Sequence, residues 1–201
     1  MRYLIICCLI LNCGCNLHGQ TYTETIAAYR KHYIEDLLAE PRHPVLPQQA
    51  KDITFFNADE RYSVLADVKL SPGSKPFLVP THSGKFKPFK EYCTLTFRIR
   101  DSLLVLHAYQ LMDLVNGDAH RDDLFVPFKD MTNYESTYGG GRYIDLSMND
   151  ISNGRILLDF NKCYNPYCAY SDGFSCPIPP NENYLSVEID VLSVPTPTNC
   201  R

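Results

Sequence analysis

The stretch Cys93–Gln110, CTLTFRIRDSLLVLHAYQ, is the clearest indication of the fold in this chain. Every second residue from Cys93 to Ile99 is apolar, and the residues between them are polar or charged. This period of two is typical of a strand with one buried face. A polar turn at Arg100-Asp101-Ser102 leads into a second apolar run. The stretch therefore predicts an antiparallel hairpin.

Two further segments have the same alternation, RYSVLADVKL at residues 61–70 and NYLSVEIDVL at residues 183–192. Turn signals such as Pro72-Gly73 and Ser83-Gly84 separate the strands. Helical spacing of apolar residues occurs at Tyr22–Ala39, with Thr23 or Thr25 as the expected cap. Because no helical pattern separates the strands, a βαβ fold is not expected. We predict a mainly β fold, an antiparallel β-barrel or sandwich with one N-terminal helix.

The first 19 residues resemble a signal peptide, because Arg2 precedes an apolar run too short to span a bilayer as a helix. Two kinds of processing remain open: lipidation at Cys13 or Cys15, or cleavage after Gly19. We therefore expect an exported protein, either a lipoprotein anchored in the cell envelope or a soluble protein of the periplasm. Residues 20–192 are predicted to form a single β-rich domain, and residues 193–201 a flexible tail.

The amino-acid composition restricts the classes of partner that the protein is expected to bind. The formal net charge is −4, which argues against nucleic-acid binding because such proteins usually carry a basic face. No second long apolar segment follows residue 19, so membrane contact is expected only through a possible N-terminal lipid anchor.

A dense block from Leu124 to Asn183 contains the candidate site residues. Arg142 follows a glycine triplet, GGGR, which is either a tight turn or an anion-binding nest. Arg142 and the apolar residues of its predicted strand lie on the same face of that strand. If that face is buried, the guanidinium requires a carboxylate or a bound anion as its partner. The candidate carboxylates are Asp130, Asp145 and Asp159.

The segment LLDFN places Asp159 and Asn161 on the same face of a predicted strand. A carboxylate and an amide in this arrangement suit acid/base catalysis or ligand binding. Their side chains could equally cap the turn that follows. The sequence leaves both interpretations open.

Cys168 and Cys176 enclose a short loop, and a disulfide is the first interpretation for an exported chain. A metal site with Cys163 or Asp172 is an alternative, although the spacing matches no zinc motif. Cys168 could also be a nucleophile if His107 or His120 lies nearby. The sequence contains no metal-ligand or cofactor-binding motif, so neither a metal nor a cofactor is expected.

Tyrosines are frequent in the same block, and they could line a ligand cleft or simply belong to the core. They are Tyr134, Tyr138, Tyr143, Tyr164, Tyr167 and Tyr170.

The motifs LFVPFKDMT, TYGGGRYID, LDFNKCYNPYCAYSDGFSCPIPP and NEN resemble the domain of unknown function 1684 family of exported bacterial proteins. The resemblance implies export, frequently as lipoproteins, and no assigned activity. Cys168 and Cys176 match the family pattern. The chain departs from the pattern at four residues and at its end. Tyr134 and Cys93 each replace an expected glycine, Ser136 a glutamate, and Cys163 an alanine, and SVPTPTNCR replaces an expected glycine-lysine ending.

We expect an exported small-ligand-binding module whose ligand is a small polar or anionic molecule. The candidate ligand-binding residues are Arg142, Asp130, Asn161, Tyr143, Tyr164 and Tyr170. The alternative is a hydrolase-like enzyme that uses Asp159 or Asp130 with Arg142, and Cys168 as an optional nucleophile. A purely structural envelope component is a third interpretation, and the sequence does not decide whether the protein is an enzyme.

Overall fold

The computed structural model describes residues 20–113 and 120–192. The predicted signal region, with Cys13, Cys15 and the site after Gly19, and the predicted tail lie outside the described residues.

One helix precedes an eight-stranded sheet. The helix is α1 (Tyr22–Ala39). The strands are β1 (Ser63–Leu70), β2 (Phe77–Pro80), β3 (Phe86–Ile99), β4 (Ser102–Leu111), β5 (Asp123–Asp130), β6 (Arg142–Ser147), β7 (Arg155–Asp159) and β8 (Tyr184–Leu185). The main order is β6-β5-β4-β3-β1-β7, with β2 paired to β3 and β8 paired to β5.

All strand pairs are antiparallel except β5 with β8. The sheet curls into a half-barrel, so the predicted mainly antiparallel β fold with one N-terminal helix is confirmed. No helix in the described part of the chain is long and apolar enough to cross a membrane.

Helix α1 begins with a capping box. The Thr21 side chain accepts a hydrogen bond from the backbone of Glu24, and the Glu24 carboxylate accepts one from the backbone of Thr21. The predicted cap at Thr23 or Thr25 was therefore wrong, because both lie within the first turns of the helix. The last residue of the helix is Ala39. The next residue, Glu40, precedes Pro41 and has an extended backbone, as is usual before proline.

The β3–β4 hairpin forms as predicted, with Arg98 opposite Leu103 and Ile99 opposite Ser102. Arg100 in the turn has a positive φ of 52°. The predicted inward residues of β3 are buried, and these are Cys93, Leu95, Phe97 and Ile99. A β-bulge shifts the register between Glu91 and Cys93. This bulge reverses which face of the strand is buried.

The sheet consequently buries side chains on both faces. The larger core includes Leu95, Leu106 and Phe128. A second, aromatic cluster contains Phe89, Tyr109, Phe125 and Tyr143, with Val79. The loops of residues 163–183 cover this cluster, and it forms one side of the candidate site.

Two predicted strands are shorter than expected. Within residues 183–192 only Tyr184 and Leu185 pair as a strand, although Ile189 and Val191 are buried as their alternation suggests. Strand β7 ends at Asp159, and Asn161 lies in the 3-10 turn Phe160–Lys162 rather than on a strand face.

Candidate functional site

A cleft of about 870 Å³ opens where the loop of residues 164–177 passes beside strands β3, β5 and β6. The residues that follow α1 form its opposite rim. Its lining combines aromatic rings with basic side chains. The lining residues that bear on the chemistry are Arg42, His43, Lys87, Phe125, Tyr143, Tyr164, Tyr167, Asp172, Phe174 and Cys176.

Edge-to-face aromatic contacts build one wall of the cleft. The Tyr143 ring lies 4.7 Å from Phe125 and 5.7 Å from Tyr164, measured between centroids. The backbones of Tyr143 and Tyr164 exchange two hydrogen bonds of 2.9 Å. The Tyr143 hydroxyl donates to the Pro177 carbonyl. These contacts fix the positions of the rings, so the wall exists before any ligand arrives.

Arg42 forms the opposite rim. Its guanidinium lies over the rings of Tyr167 and Phe174, at 5.2 and 5.4 Å from their centroids. Its Nε donates to Glu40 at 2.7 Å, and the side chain nevertheless stays 63% exposed. Lys87 projects from β3 into the same cleft and forms no ion pair with any described residue. Two positive charges therefore face a mostly aromatic space.

Two smaller cavities adjoin the cleft at Tyr164. One, of about 320 Å³, lies towards His120 and Asp123, and the other, of about 280 Å³, lies against α1. Both are lined by Asp145, whose Oδ2 accepts a 2.8 Å hydrogen bond from the Tyr164 hydroxyl. Surrounding protein desolvates the Asp145 carboxyl and raises its pKa, and Asp123 adds to the rise, whereas the Tyr164 hydrogen bond opposes it.

Arg142 lies outside these cavities. It is fully buried, and its Nη2 donates to Oδ2 of Asp130 and, at 3.3 Å, to the Thr132 hydroxyl. Asp130 is thus the partner among the three carboxylates that the sequence offered. Neither residue of the pair has an exposed side chain. The pair therefore belongs to the core and is out of reach of a ligand in the cleft.

Asp159 and Asn161 do come together, but in a closed network. The Tyr22 hydroxyl donates to Asp159 Oδ1 at 2.9 Å and accepts from Asn161 Nδ2 at 2.8 Å. The backbone N–H of Asn161 donates to the same Asp159 oxygen at 3.0 Å. Asn161 also bonds the backbone of Asp59 in both directions. The network caps the 3-10 turn and fixes α1 to the sheet, which is the capping role that the sequence left open.

The glycine triplet forms a turn against aromatic rings. A Cβ on Gly139 would lie 2.2 Å from the Tyr134 ring, and a Cβ on Gly140 would lie 2.2 Å from the Tyr138 ring. Gly141 has a φ of +93° and no room for a Cβ beside the Phe128 carbonyl. The close packing around these three residues accounts for the glycines without a bound anion.

Cys168 and Cys176 are free cysteines in the structure, so the predicted disulfide is not formed in it. The backbone N–H of Cys168 lies 3.2 Å from the Cys176 sulfur, and the Cys168 thiol donates to the Phe174 carbonyl. Burial raises the pKa of Cys176 to about 12. Cys163 is buried beside Arg142, and burial raises its pKa to about 11. High pKa values disfavour the thiolate form.

Neither His107 nor His120 hydrogen-bonds Cys168. His107 bonds Glu91 and His120 bonds Asp123, each at 2.7 Å. Within residues 20–113 and 120–192, no group of three or more acidic, histidine or cysteine side chains could hold a metal ion. The arrangement of the described residues therefore offers no support for a cysteine nucleophile or a metal centre.

The structure assigns the predicted tyrosines to different environments. Tyr143 and Tyr164 line the cleft, whereas Tyr170 is buried and its hydroxyl is 2.8 Å from that of Tyr33. No sequence pattern pointed to Arg42 or Lys87, and Asp145 was expected only as a possible partner of Arg142. The sequence did contain one sign that Asp145 is not the partner of Arg142. The two residues are an odd number of positions apart on one strand, so their side chains point to opposite faces of the sheet.

The comparisons with known proteins identify the family. Residues 48–191 match the family described as "Protein of unknown function (DUF1684)", and the chain belongs to this family. Among solved structures, the chain is similar to the solution NMR structure of an uncharacterized protein from Haloarcula marismortui. The two are 32% identical with a TM-score of 0.63, over 84% of this chain and 94% of the other. None of the curated proteins matches the chain.

Proposed function

We propose that the protein is a binding module for a small anionic molecule with an aromatic or otherwise flat apolar body. The observation that carries the proposal is the 870 Å³ cleft, in which Arg42 and Lys87 face the rings of Tyr143, Tyr164 and Phe174. Cavities of several hundred Å³ with apolar walls and a few convergent polar groups are typical ligand sites.

The charges of the cleft favour an anion. Lys87 supplies a positive charge and Arg42 a second one that is paired with Glu40, His43 lies on the same rim, and Asp172 is the acidic lining residue. The anionic group would meet Lys87, and the body of the ligand would lie against the tyrosine wall. This keeps the ligand class expected from the sequence but replaces Arg142, Asp130 and Asn161 as contact residues. A core pair and a closed capping network have no surface to offer a ligand.

The test uses 4-hydroxybenzoate as an anionic aromatic ligand and 4-hydroxybenzyl alcohol as its neutral counterpart, measured by isothermal titration calorimetry. We expect the carboxylate to bind more tightly than the alcohol. Lys87→Gln should weaken carboxylate binding by about 10-fold or more, since a charge-assisted hydrogen bond is lost. Lys69→Gln, at an exposed residue of β1, should leave carboxylate binding unchanged. Equal binding of the two compounds, or no effect of Lys87→Gln, would contradict the proposal.

The alternative of a hydrolase-like enzyme gains less support. Its candidate residues Asp159, Asp130 and Arg142 are buried and bonded to neighbouring side chains outside the cleft, and Cys168 has no hydrogen-bonded histidine. A substrate in the cleft would meet Tyr143 and Tyr164 rather than these residues.

We also propose that the protein acts outside the cytoplasm, as the first 19 residues suggest. The measurement is the intact mass of the protein isolated from its own cells. A mass that corresponds to a chain beginning at Cys13, Cys15 or Gln20, with lipid in the first two cases, would support it. A full-length chain recovered from the cytoplasm would contradict it.

A further inference from the structure

We infer that the smaller cavity between α1 and the sheet, called the tyrosine cavity below, is a second site, which binds an organic ammonium group. The 870 Å³ cleft is called the anion cleft. The second site is distinct from the anion cleft and does not depend on the function proposed for that cleft. The cavity has a volume of about 280 Å³. Its lining combines four tyrosines with two carboxylates, and these residues are Tyr29, Tyr33, Tyr164, Tyr167, Asp36 and Asp145, together with His32 and Leu37.

The rings of Tyr33 and Tyr164 are inclined to each other rather than stacked. Tyr33 and Tyr164 lie 6.2 Å apart between centroids with their planes inclined by 44°. Their hydroxyls are already bonded, Tyr33 to Tyr170 and Tyr164 to Asp145. Their polar ends are thus satisfied by protein, which leaves the ring faces as the surface available to a guest. Electron-rich ring faces attract cations, and organic ammonium ions are the guests that such aromatic cages recognise.

The charged groups of the cavity also favour a cation. Asp145 Oδ2 accepts the Tyr164 hydroxyl, while its Oδ1 has no hydrogen-bond donor among the described residues. Asp145 is exposed and lines this cavity as well as the cavity towards His120. Asp36 lies on the same cavity from α1, with a side chain that is 65% exposed. No lysine or arginine lines the cavity, although Lys162 Nζ lies 5.8 Å from the centroid of the Tyr29 ring and His32 Nε2 lies 3.5 Å from Asp36 Oδ2.

The two sites are neighbours with opposite charge preference. Tyr164 and Tyr167 form a wall common to both, with Arg42 above Tyr167 on the side of the anion cleft. A cation in the tyrosine cavity and an anion in the cleft would therefore be separated by a single layer of rings.

The test uses choline as the ammonium compound and 3,3-dimethyl-1-butanol as its neutral isostere. The two have the same shape, so a difference in affinity measures the charge. In NMR titrations of the full chain with reporter signals from the tyrosine rings, we expect choline to bind with a dissociation constant on the order of millimolar, and the alcohol at least about 10-fold more weakly.

Variants of single residues separate this site from the anion cleft. Asp145→Asn, which keeps an oxygen for the Tyr164 hydroxyl, should weaken choline binding by about 10-fold while leaving 4-hydroxybenzoate binding intact. Lys87→Gln should do the reverse. Tyr29→Leu, which keeps an apolar side chain but no ring, should also weaken choline binding. No saturable choline binding, equal binding of the isostere, or unchanged affinity in Asp145→Asn would overturn the inference, whatever the outcome for the anion cleft.

Discussion

The chain departs from its family pattern at single residues. Tyr134 shows the backbone strain that such a departure can impose. It stands where the family pattern leads us to expect glycine, and its φ is 70°, in the left-handed region that side chains with a Cβ avoid. The residue is 81% exposed, so its ring gains little from burial. The ring does lie on Gly139, where a Cβ would collide with it. The departure is thus accommodated by a neighbouring glycine that leaves room for the ring.

We predict that Tyr134→Gly stabilises the protein by about 1 kcal/mol, because glycine adopts a positive φ without the penalty that tyrosine pays. Urea unfolding monitored by circular dichroism gives the free energy of unfolding. The control is Tyr134→Ala, which removes the ring but keeps the backbone strain and should give no gain. A glycine variant no more stable than the alanine variant would contradict the backbone-strain argument, and two variants that are both less stable than the natural protein would show that contacts of the ring dominate.

At the scale of the elements, the docking of α1 depends on a few buried polar contacts. The helix has only two buried residues of its own, Ile26 and Leu37. It is joined to the end of β7 by the Tyr22 hydroxyl, which bonds Asp159 and Asn161. Arg30 adds hydrogen bonds to the backbone carbonyls of Phe56 and Val191. These contacts hold the helix that supplies Tyr29, Tyr33 and Asp36 to the tyrosine cavity.

We predict that Tyr22→Phe destabilises the protein by about 1–3 kcal/mol, because it leaves a buried carboxylate and amide without one partner each. The measurement is again chemical unfolding. Tyr134→Phe, at an exposed hydroxyl, is the matched control and should be neutral. Hydrogen exchange should additionally show faster opening of α1 than of β3 and β4 in the Tyr22 variant. An unchanged free energy of unfolding would mean that water replaces the tyrosine hydroxyl without cost.

For the whole molecule, desolvated charge around the candidate sites couples stability to pH. The pKa of Asp145 is raised in the folded protein, mainly by desolvation; the Tyr164 hydrogen bond lowers the pKa in part, and Asp123 adds a smaller rise. A carboxyl with a raised folded-state pKa is neutral in both states at low pH and imposes no cost there. As the pH rises through the folded-state pKa, the native state must carry a charge that the unfolded state carries more easily. The cost is therefore largest at neutral pH.

We predict that Asp145→Asn is more stable than the natural protein at pH 7 and that this difference shrinks towards about pH 4. Urea unfolding at both pH values measures it. Asp67→Asn, at an exposed carboxylate of β1, should show no comparable gain at pH 7. If Asp145→Asn changes stability equally at both pH values, the effect would come from packing and not from the charge.

The sequence alone could predict the features that depend on local pattern. Alternating apolar residues gave the β3–β4 hairpin and β1, and helical spacing gave α1. Strand parity also indicated that Arg142 points inward and needs a buried partner. These predictions succeed because periodicity and turn chemistry act between residues close in sequence. The same logic gave a strand at residues 183–192 that does not form beyond Leu185, since the sequence does not contain the identity of a pairing neighbour.

Only the tertiary structure decided the partner of Arg142, the state of the cysteines and the location of the sites. Asp130 rather than Asp145 pairs with Arg142 because strands β5 and β6 are neighbours and the two side chains share a buried face. The anion cleft joins Arg42, Lys87 and Tyr164, which are distant in sequence. The tyrosine cavity depends on where α1 lies against the sheet. Such sites arise from strand pairing, one β-bulge and helix docking, which are long-range contacts that no local pattern specifies.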